Sequence, residues 1–251
     1  MPKQFLRSTV ARKYMWIVGS FAAIAIAVAL APQLYARLEL APLRYDVIGV
    51  DVSHHQGEID WGALAADGIA FAYIKATEGG NFRDANFEAN WAGAAGAGVV
   101  RGAYHFFSPC RSGVDQALNF IATVPRDPVA LPPAVDAESM TPCSNGAPAE
   151  NVARELEILL ARLEAHYGRR PLIYTTAKFH DAYLKGQFAQ DRFWARSLVL
   201  PPLFRRQQWL FWQYHDRGAR KGVQGPVDLS AFRGSRQDLA AFVQSVDKNR
   251  D

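Results

Sequence analysis

The sequence predicts an α/β fold: a single irregular (β/α) TIM-like barrel preceded by one N-terminal transmembrane helix. Three observations predict it. Eight short runs rich in β-branched and aromatic residues, at 46–52, 71–76, 99–106, 133–137, 172–174, 192–195, 210–214 and 227–229, are bounded by Gly, Pro or polar residues, as strands are. Helical patterns fall between several of these runs, and that alternation argues for a mostly parallel sheet. An uncharged apolar segment covers 14–36, close to the length of roughly 20 residues that crosses a bilayer core.

The segment over 14–36 is apolar on every face, so it does not read as a half-buried core helix. Tyr14 and Trp16 stand at one end and Tyr35 at the other, where interfacial aromatics belong. Lys3, Arg7, Arg12 and Lys13 precede it, which keeps the N-terminus cytoplasmic and sends the rest across the membrane. A cleaved signal peptide is the alternative, since Ala29-Leu30-Ala31 offers a small-x-small site. Pro32 and the length of the apolar stretch favour an uncleaved anchor. The division that follows is 1–36 as basic start and anchor or signal peptide, 37–45 as linker, 46–245 as the barrel and 246–251 as tail.

Apolar residues make up 49% of the chain, enough to bury a core. The formal net charge of +4 matches the number of basic residues in the N-terminal cluster, so the remainder is near neutral and carries no nucleic-acid signature. The pairs Arg205-Arg206 and Arg220-Lys221 read as solvated loop charges. Helices are expected at 86–97, 114–123, 148–167 and 236–246. The third is the clearest, with Val152, Leu156, Leu159, Leu160 and Leu163 in one stripe, Pro148 at its start and Gly168 at its stop. The two cysteines, Cys110 and Cys143, each follow a predicted strand by a few residues. Export permits a disulfide between them that would brace two loops beside the site. With no CxxC and no Cys/His cluster, structural zinc is disfavoured.

Polar side chains gather at the ends of the predicted strands: Asp51, Lys75 with Glu78, Tyr104 with His105, Asp136 with Glu138, Tyr174, then Trp212, Gln213 and Tyr214, and finally Asp228. A parallel barrel brings the carboxyl ends of its strands to one face, where active sites form. Within Ala134-Val135-Asp136-Ala137-Glu138 strand alternation puts Asp136 and Glu138 on one face, about 6–7 Å apart along the chain. Two carboxyls that close cannot both ionise freely, so one keeps a proton. A general acid beside an anionic partner is what glycoside hydrolysis needs. A bare D-x-E is a weak signal; its apolar setting and the other strand-end carboxylates strengthen it. His54 and His55 read as a poor metal pair, because neighbours on an extended segment face opposite ways. His105 reads as a structural hydrogen-bonding histidine. Tyr104, Tyr174, Trp194, Trp212 and Tyr214 read either as sugar-stacking walls or as barrel core, and Lys75 with Glu78 as substrate contacts or as an ion pair at the rim.

Six ordered segments, Gly49 to Gly57 (GVDVSHHQG), Tyr73 to Gly79 (YIKATEG), Arg101 to Phe106 (RGAYHF), Ala134 to Glu138 (AVDAE), Pro171 to Tyr174 (PLIY) and Leu210 to Tyr214 (LFWQY), together resemble glycoside hydrolase family 25. These are the lysozymes (N-acetylmuramidases) of the Chalaropsis type, and the resemblance runs from about residue 46 to 245. It implies a modified α/β barrel that hydrolyses the β-1,4 bond between N-acetylmuramic acid and N-acetylglucosamine in peptidoglycan glycan strands, without a cofactor or metal. It places the general acid at Glu138, the partner carboxylate at Asp136, the first-strand and late aspartates at Asp51 and Asp228, and cleft aromatics at Tyr104, Tyr174, Trp212 and Tyr214. His55 departs from the Trp common after Ser-His, and the stretch from His215 to Pro226 is more basic than usual. The expected setting is the bacterial cell envelope, with a monomeric catalytic domain outside the cytoplasm, anchored through 14–36 or secreted. A non-catalytic wall-binding module and a metal-dependent hydrolase built on Asp51, His54 and His55 are the competing readings.

Overall fold

The computed structural model describes residues 39–138, 149–198 and 200–245, together with the isolated helical positions Trp16, Ser20, Ile24 and Leu30. The expected membrane span over 14–36 therefore lies, but for those positions, outside the described residues. Cys143, Pro148 and the tail lie outside them too. Among the described residues no helix is long and apolar enough to cross a membrane. Residues 1–38 and 39–251 form separate compact units.

The second unit is a closed barrel. Its strands are β1 (Ile48–Val52), β2 (Phe71–Glu78), β3 (Phe82–Arg83), β4 (Val100–Phe106), β5 (Ala134–Ala137), β6 (Leu172–Thr176), β7 (Phe193–Arg196), β8 (Trp209–Gly218) and β9 (Val227–Phe232). The sheet runs β1-β9-β8-β7-β6-β5-β4-β2 and closes through a β1–β2 pairing; β3 adds to the end of β2 as a short hairpin. All eight expected strands are present. The sheet departs from the expected parallel pattern at β9, which runs antiparallel to both of its neighbours, β1 and β8.

Helices α1 (Trp61–Ala66), α2 (Phe87–Gly96), α3 (Gly113–Thr123) and α4 (Ala149–Tyr167) form the connections up to β6. After β6 comes α5 (Ala177–Phe179), continued as a π-helical turn over His180–Leu184, and α6 (Arg236–Gln244) closes the chain. No helix of the described residues separates β7 from β8 or β8 from β9, which accounts for the barrel's irregularity. The starts are locally encoded. Asp60, Ser112, Thr176 and Ser235 each accept a backbone N–H of the first turn they cap, satisfying donors that have no partner within the helix.

Two apolar layers result from strand alternation. Val47, Phe71, Tyr73, Leu131, Leu172, Trp194 and Phe211 fill the barrel interior, where Leu239 and Val243 of α6 join them. Val50, Val52, Ile74, Val135, Ile173 and Ala195 point outward against Leu156, Leu159, Leu160 and Leu163 of α4 and the other helices. The interior is tight. A Cβ at Gly102 would sit 2.5 Å from the Tyr73 ring, so only glycine leaves room for that tyrosine. Of the basic loop residues, Arg206 and Lys221 are exposed as expected, whereas Arg205 and Arg220 are partly buried. Arg220 pairs with Glu39 at 2.8 Å, and Arg205 donates to His180 Nε2 at 3.0 Å and to the Leu184 carbonyl at the end of the π-helical turn at 2.8 Å.

Candidate active site

The carboxyl ends of the parallel strands deliver most of the site residues to one mouth. β1 brings Asp51, and β5 brings Asp136 opposite Tyr174 of β6, with Glu138 directly after the strand. Asp228 arrives differently. It is the second residue of β9, and because that strand is reversed its beginning lies at the same mouth. The register makes Asp51 and Asp228 direct partners. The expectation that Asp228 shares a strand-end position is thus corrected in its reason, though not in its placement.

Gln213 of β8 links the two groups. Its amide nitrogen donates to both oxygens of Asp51 at 3.1 Å and faces Asp228 Oδ2 at 3.4 Å. Its amide oxygen accepts the Tyr174 hydroxyl at 2.9 Å, and that hydroxyl lies 3.5 Å from Glu138 Oε2. Lys75 extends from β2 to bond Glu78 at 2.7 Å, its ammonium 5.3 and 5.0 Å from the rings of Phe82 and Phe106.

Burial dominates the electrostatics. It pushes Asp51 well above the ordinary aspartate range, with the charge of Asp228 adding to the rise, and pushes Asp228 up to about 6. Asp136 is also held well up, first by burial and then by the Glu138 and Asp51 charges, while Lys75 pulls the other way. Burial raises Glu138, opposed by the guanidinium of Arg196. Burial likewise raises the Tyr104 phenol, reinforced by the charges of Asp51, Asp136 and Asp228. Asp136 Oδ1 is buried with no hydrogen-bond partner among the described residues. An acceptor in that condition costs free energy until a donor reaches it.

Several expectations need correction. Trp212 and Tyr214 do not line the cleft. They alternate with Gln213 along β8, so their side chains leave the barrel's outer face, each 1% exposed, and pack with Tyr45 and Trp209. Tyr174 is buried as well, its ring edge-on to Trp194 at 4.7 Å, so it offers the site a hydroxyl and no stacking face. Gln213 is 2% exposed and contacts carboxylates in place of sugar. His54 and His55 sit on a 3-10 turn held by a Ser53–Gln56 capping box, which brings their rings to 4.0 Å instead of opposite faces.

The structure adds residues the sequence reading passed over. Arg196 lies one residue beyond the predicted strand and pairs with Asp216 at 3.0 Å. A basic residue at a strand end was the available signal. Asp84 accepts His54 Nδ1 at 2.7 Å beside the mouth, a contact across 30 residues that no local pattern announces. His105 is buried, bonded to Thr77 at 2.7 Å and Gln116 at 3.1 Å, and burial lowers it to about 4. Cys110 is disulfide-bonded; the only other cysteine in the chain is Cys143. Among the described residues no group of three His, Cys, Asp or Glu side chains is placed to hold a metal ion.

A closed barrel with four raised carboxyls at one mouth fits the class of glycoside hydrolases, whose chemistry uses paired carboxyl groups. The family model for glycosyl hydrolases family 25 matches residues 50–223, and the chain belongs to that family. It is 37% identical over 215 residues to Lysozyme M1 of Streptomyces globisporus, covering 80% of this chain and 72% of that one. Among solved structures it is similar to a family 25 glycosyl hydrolase from Bacillus anthracis, with TM-score 0.75 and 38% identity over 79% of this chain and 94% of that one. It is also similar to the bacterial lysozyme from Streptomyces coelicolor, with TM-score 0.72 and 37% identity over 80% and 98%.

Proposed function

We propose that this chain is a peptidoglycan lysozyme that cuts the β-1,4 bond between N-acetylmuramic acid and N-acetylglucosamine, with Glu138 as general acid and Asp136 as its anionic partner. Membership of the family and likeness to the two lysozymes support the substrate. The unpartnered Asp136 Oδ1 carries the assignment of roles. Burial raises both carboxyls, so one proton is shared between the two. A substrate N–H reaching Asp136 Oδ1 decides its place: the hydrogen bond stabilises ionised Asp136 and leaves the proton on Glu138, beside the leaving oxygen. The 2-acetamido group of the expected sugar supplies such an N–H.

Asp136 then either attacks the anomeric carbon or holds the acetamido group while its oxygen attacks. Both routes retain configuration, and neither needs the wider gap that admits a water for inversion. Glu138→Gln is expected to lower turnover on purified peptidoglycan by about 10²–10⁴-fold with glycan binding preserved. NMR of the first product should show the retained anomer. Near-normal turnover in the variant removes Glu138 from its role, and an inverted first product removes both routes. Zymography separates this reading from a wall-binding module, and activity in EDTA separates it from a metal-dependent hydrolase.

The finer setting belongs to the same proposal: residues 14–36 act as a signal anchor, placing a monomeric catalytic domain in the cell envelope. The apolar length and basic flank of that segment support this. The full chain expressed in a bacterium should sediment with membranes, whereas a shortened soluble form outside the cytoplasm would mean that the leader is cleaved.

A further inference from the structure

The Tyr174 hydroxyl has one proton and two neighbours. Gln213 Oε1 stands at 2.9 Å and Glu138 Oε2 at 3.5 Å. A hydroxyl donates once and accepts with its remaining lone pairs, so the shorter contact takes the proton. The orientation of Gln213 is itself constrained. Three carboxyl oxygens of Asp51 and Asp228 lie within 3.4 Å of its amide nitrogen, so the NH2 end finds acceptors there even when one of the two carboxyls carries a proton.

We infer that Gln213 and Tyr174 form a one-way hydrogen-bond chain, in which the Asp51–Asp228 pair orients the Gln213 amide, the amide oxygen captures the Tyr174 proton, and the phenolic oxygen is left as an acceptor facing Glu138. With its proton on Gln213 the phenol favours the protonated form of Glu138, whereas a Tyr174 hydroxyl turned to Glu138 would donate to it and favour the ionised form. Gln213 and Tyr174 are positioning residues: buried, offering no surface to sugar, and acting through the carboxyl they face. The two remote aspartates gain a role from the same geometry, since they set the direction of every bond in the chain. Arg196 faces Glu138 from β7 and favours its ionised form, Asp216 pairs with Arg196, and Asp136 carries the neighbouring like charge. The phenolic acceptor offsets Arg196.

This inference rests on Glu138 being the general acid, and its sign makes it testable. If Tyr174 accepts from Glu138, Tyr174→Phe removes a partner of the acid form, and the alkaline limb of kcat/KM moves to lower pH by about half a unit to one unit. If Tyr174 instead donated to the carboxylate, the same substitution would move that limb to higher pH. Gln213→Leu should move it further down than Tyr174→Phe, because the freed hydroxyl then turns its proton toward ionised Glu138. Profiles are measured on solubilised peptidoglycan glycan with the full chain. An alkaline limb unmoved or raised in Tyr174→Phe overturns the inference, and that variant decides alone should Gln213→Leu fail to fold. Failure of the parent protein to cleave the glycan would overturn the functional reading itself, a result distinct from a misplaced limb.

Discussion

At the scale of single residues, the site turns on which of two adjacent carboxyls holds a proton. The charge of Lys75 opposes the rise of Asp136, and its ammonium is held by Glu78 at 2.7 Å. Removing the charge while keeping the stem, as in Lys75→Met, leaves Asp136 against burial and the charges of Glu138, Asp51 and Asp228. The acid limb of kcat/KM, which reports ionisation of the partner carboxyl, should then move up by about half a unit to one unit, with the alkaline limb unmoved. Equal displacement of both limbs would show that Lys75 acts on the pair as a whole. Asp51, Asp136 and Glu138 were legible from sequence because each sits at or just past the end of an apolar run, and Asp228 because it interrupts one near its start. Asp84 was not legible, since its contact with His54 depends on the turn after β1 folding against the β2–β3 hairpin.

At the scale of elements, period-2 alternation explains both what sequence reveals and what it conceals. In β5 the alternation was read correctly: Val135 and Ala137 pack outward while Asp136 faces the mouth. In β8 three consecutive residues, Trp212, Gln213 and Tyr214, were grouped together, although consecutive strand residues cannot share a face. The aromatic pair went to the helix-facing layer and Gln213 to the site. Composition could not signal this, because tryptophan and tyrosine suit a sugar wall and a buried layer equally well. Direction was also hidden. Nothing in Val227-Asp228-Leu229 distinguishes a parallel from an antiparallel strand. The absence of a helix between 218 and 227 was the one available hint that β9 returns beside β8 and cannot run parallel to it. Short elements, six-residue α1 and two-residue β3, fell below the length at which periodicity shows.

At the scale of the whole molecule, gathering four carboxyls in one mouth costs stability, and the cost depends on pH with a definite sign. Asp228 titrates at about 6 in the folded chain against an ordinary 3.8, so between those values the folded state holds a proton that the unfolded state has released. Its stabilising contribution is full below about pH 4 and is lost as pH rises through about 6. Asp51 and Asp136 are raised for the same reason and add in the same direction. Asp228→Asn removes one such group while keeping its shape. The variant should melt with the parent near pH 4 and above it at pH 7. Asp228 is partly open to solvent, and screening reduces the benefit to about 1 kcal/mol, a gain of roughly 2–4 °C in a domain of this size. Differential scanning calorimetry at the two pH values measures it. A gap that does not widen with pH would mean that Asp228 is not held protonated by the fold. The same substitution should weaken catalysis, because an amide at 228 replaces one acceptor oxygen beside the Gln213 NH2 with a donor. A stabilising change that lowers activity is the mark of a group retained for its chemistry.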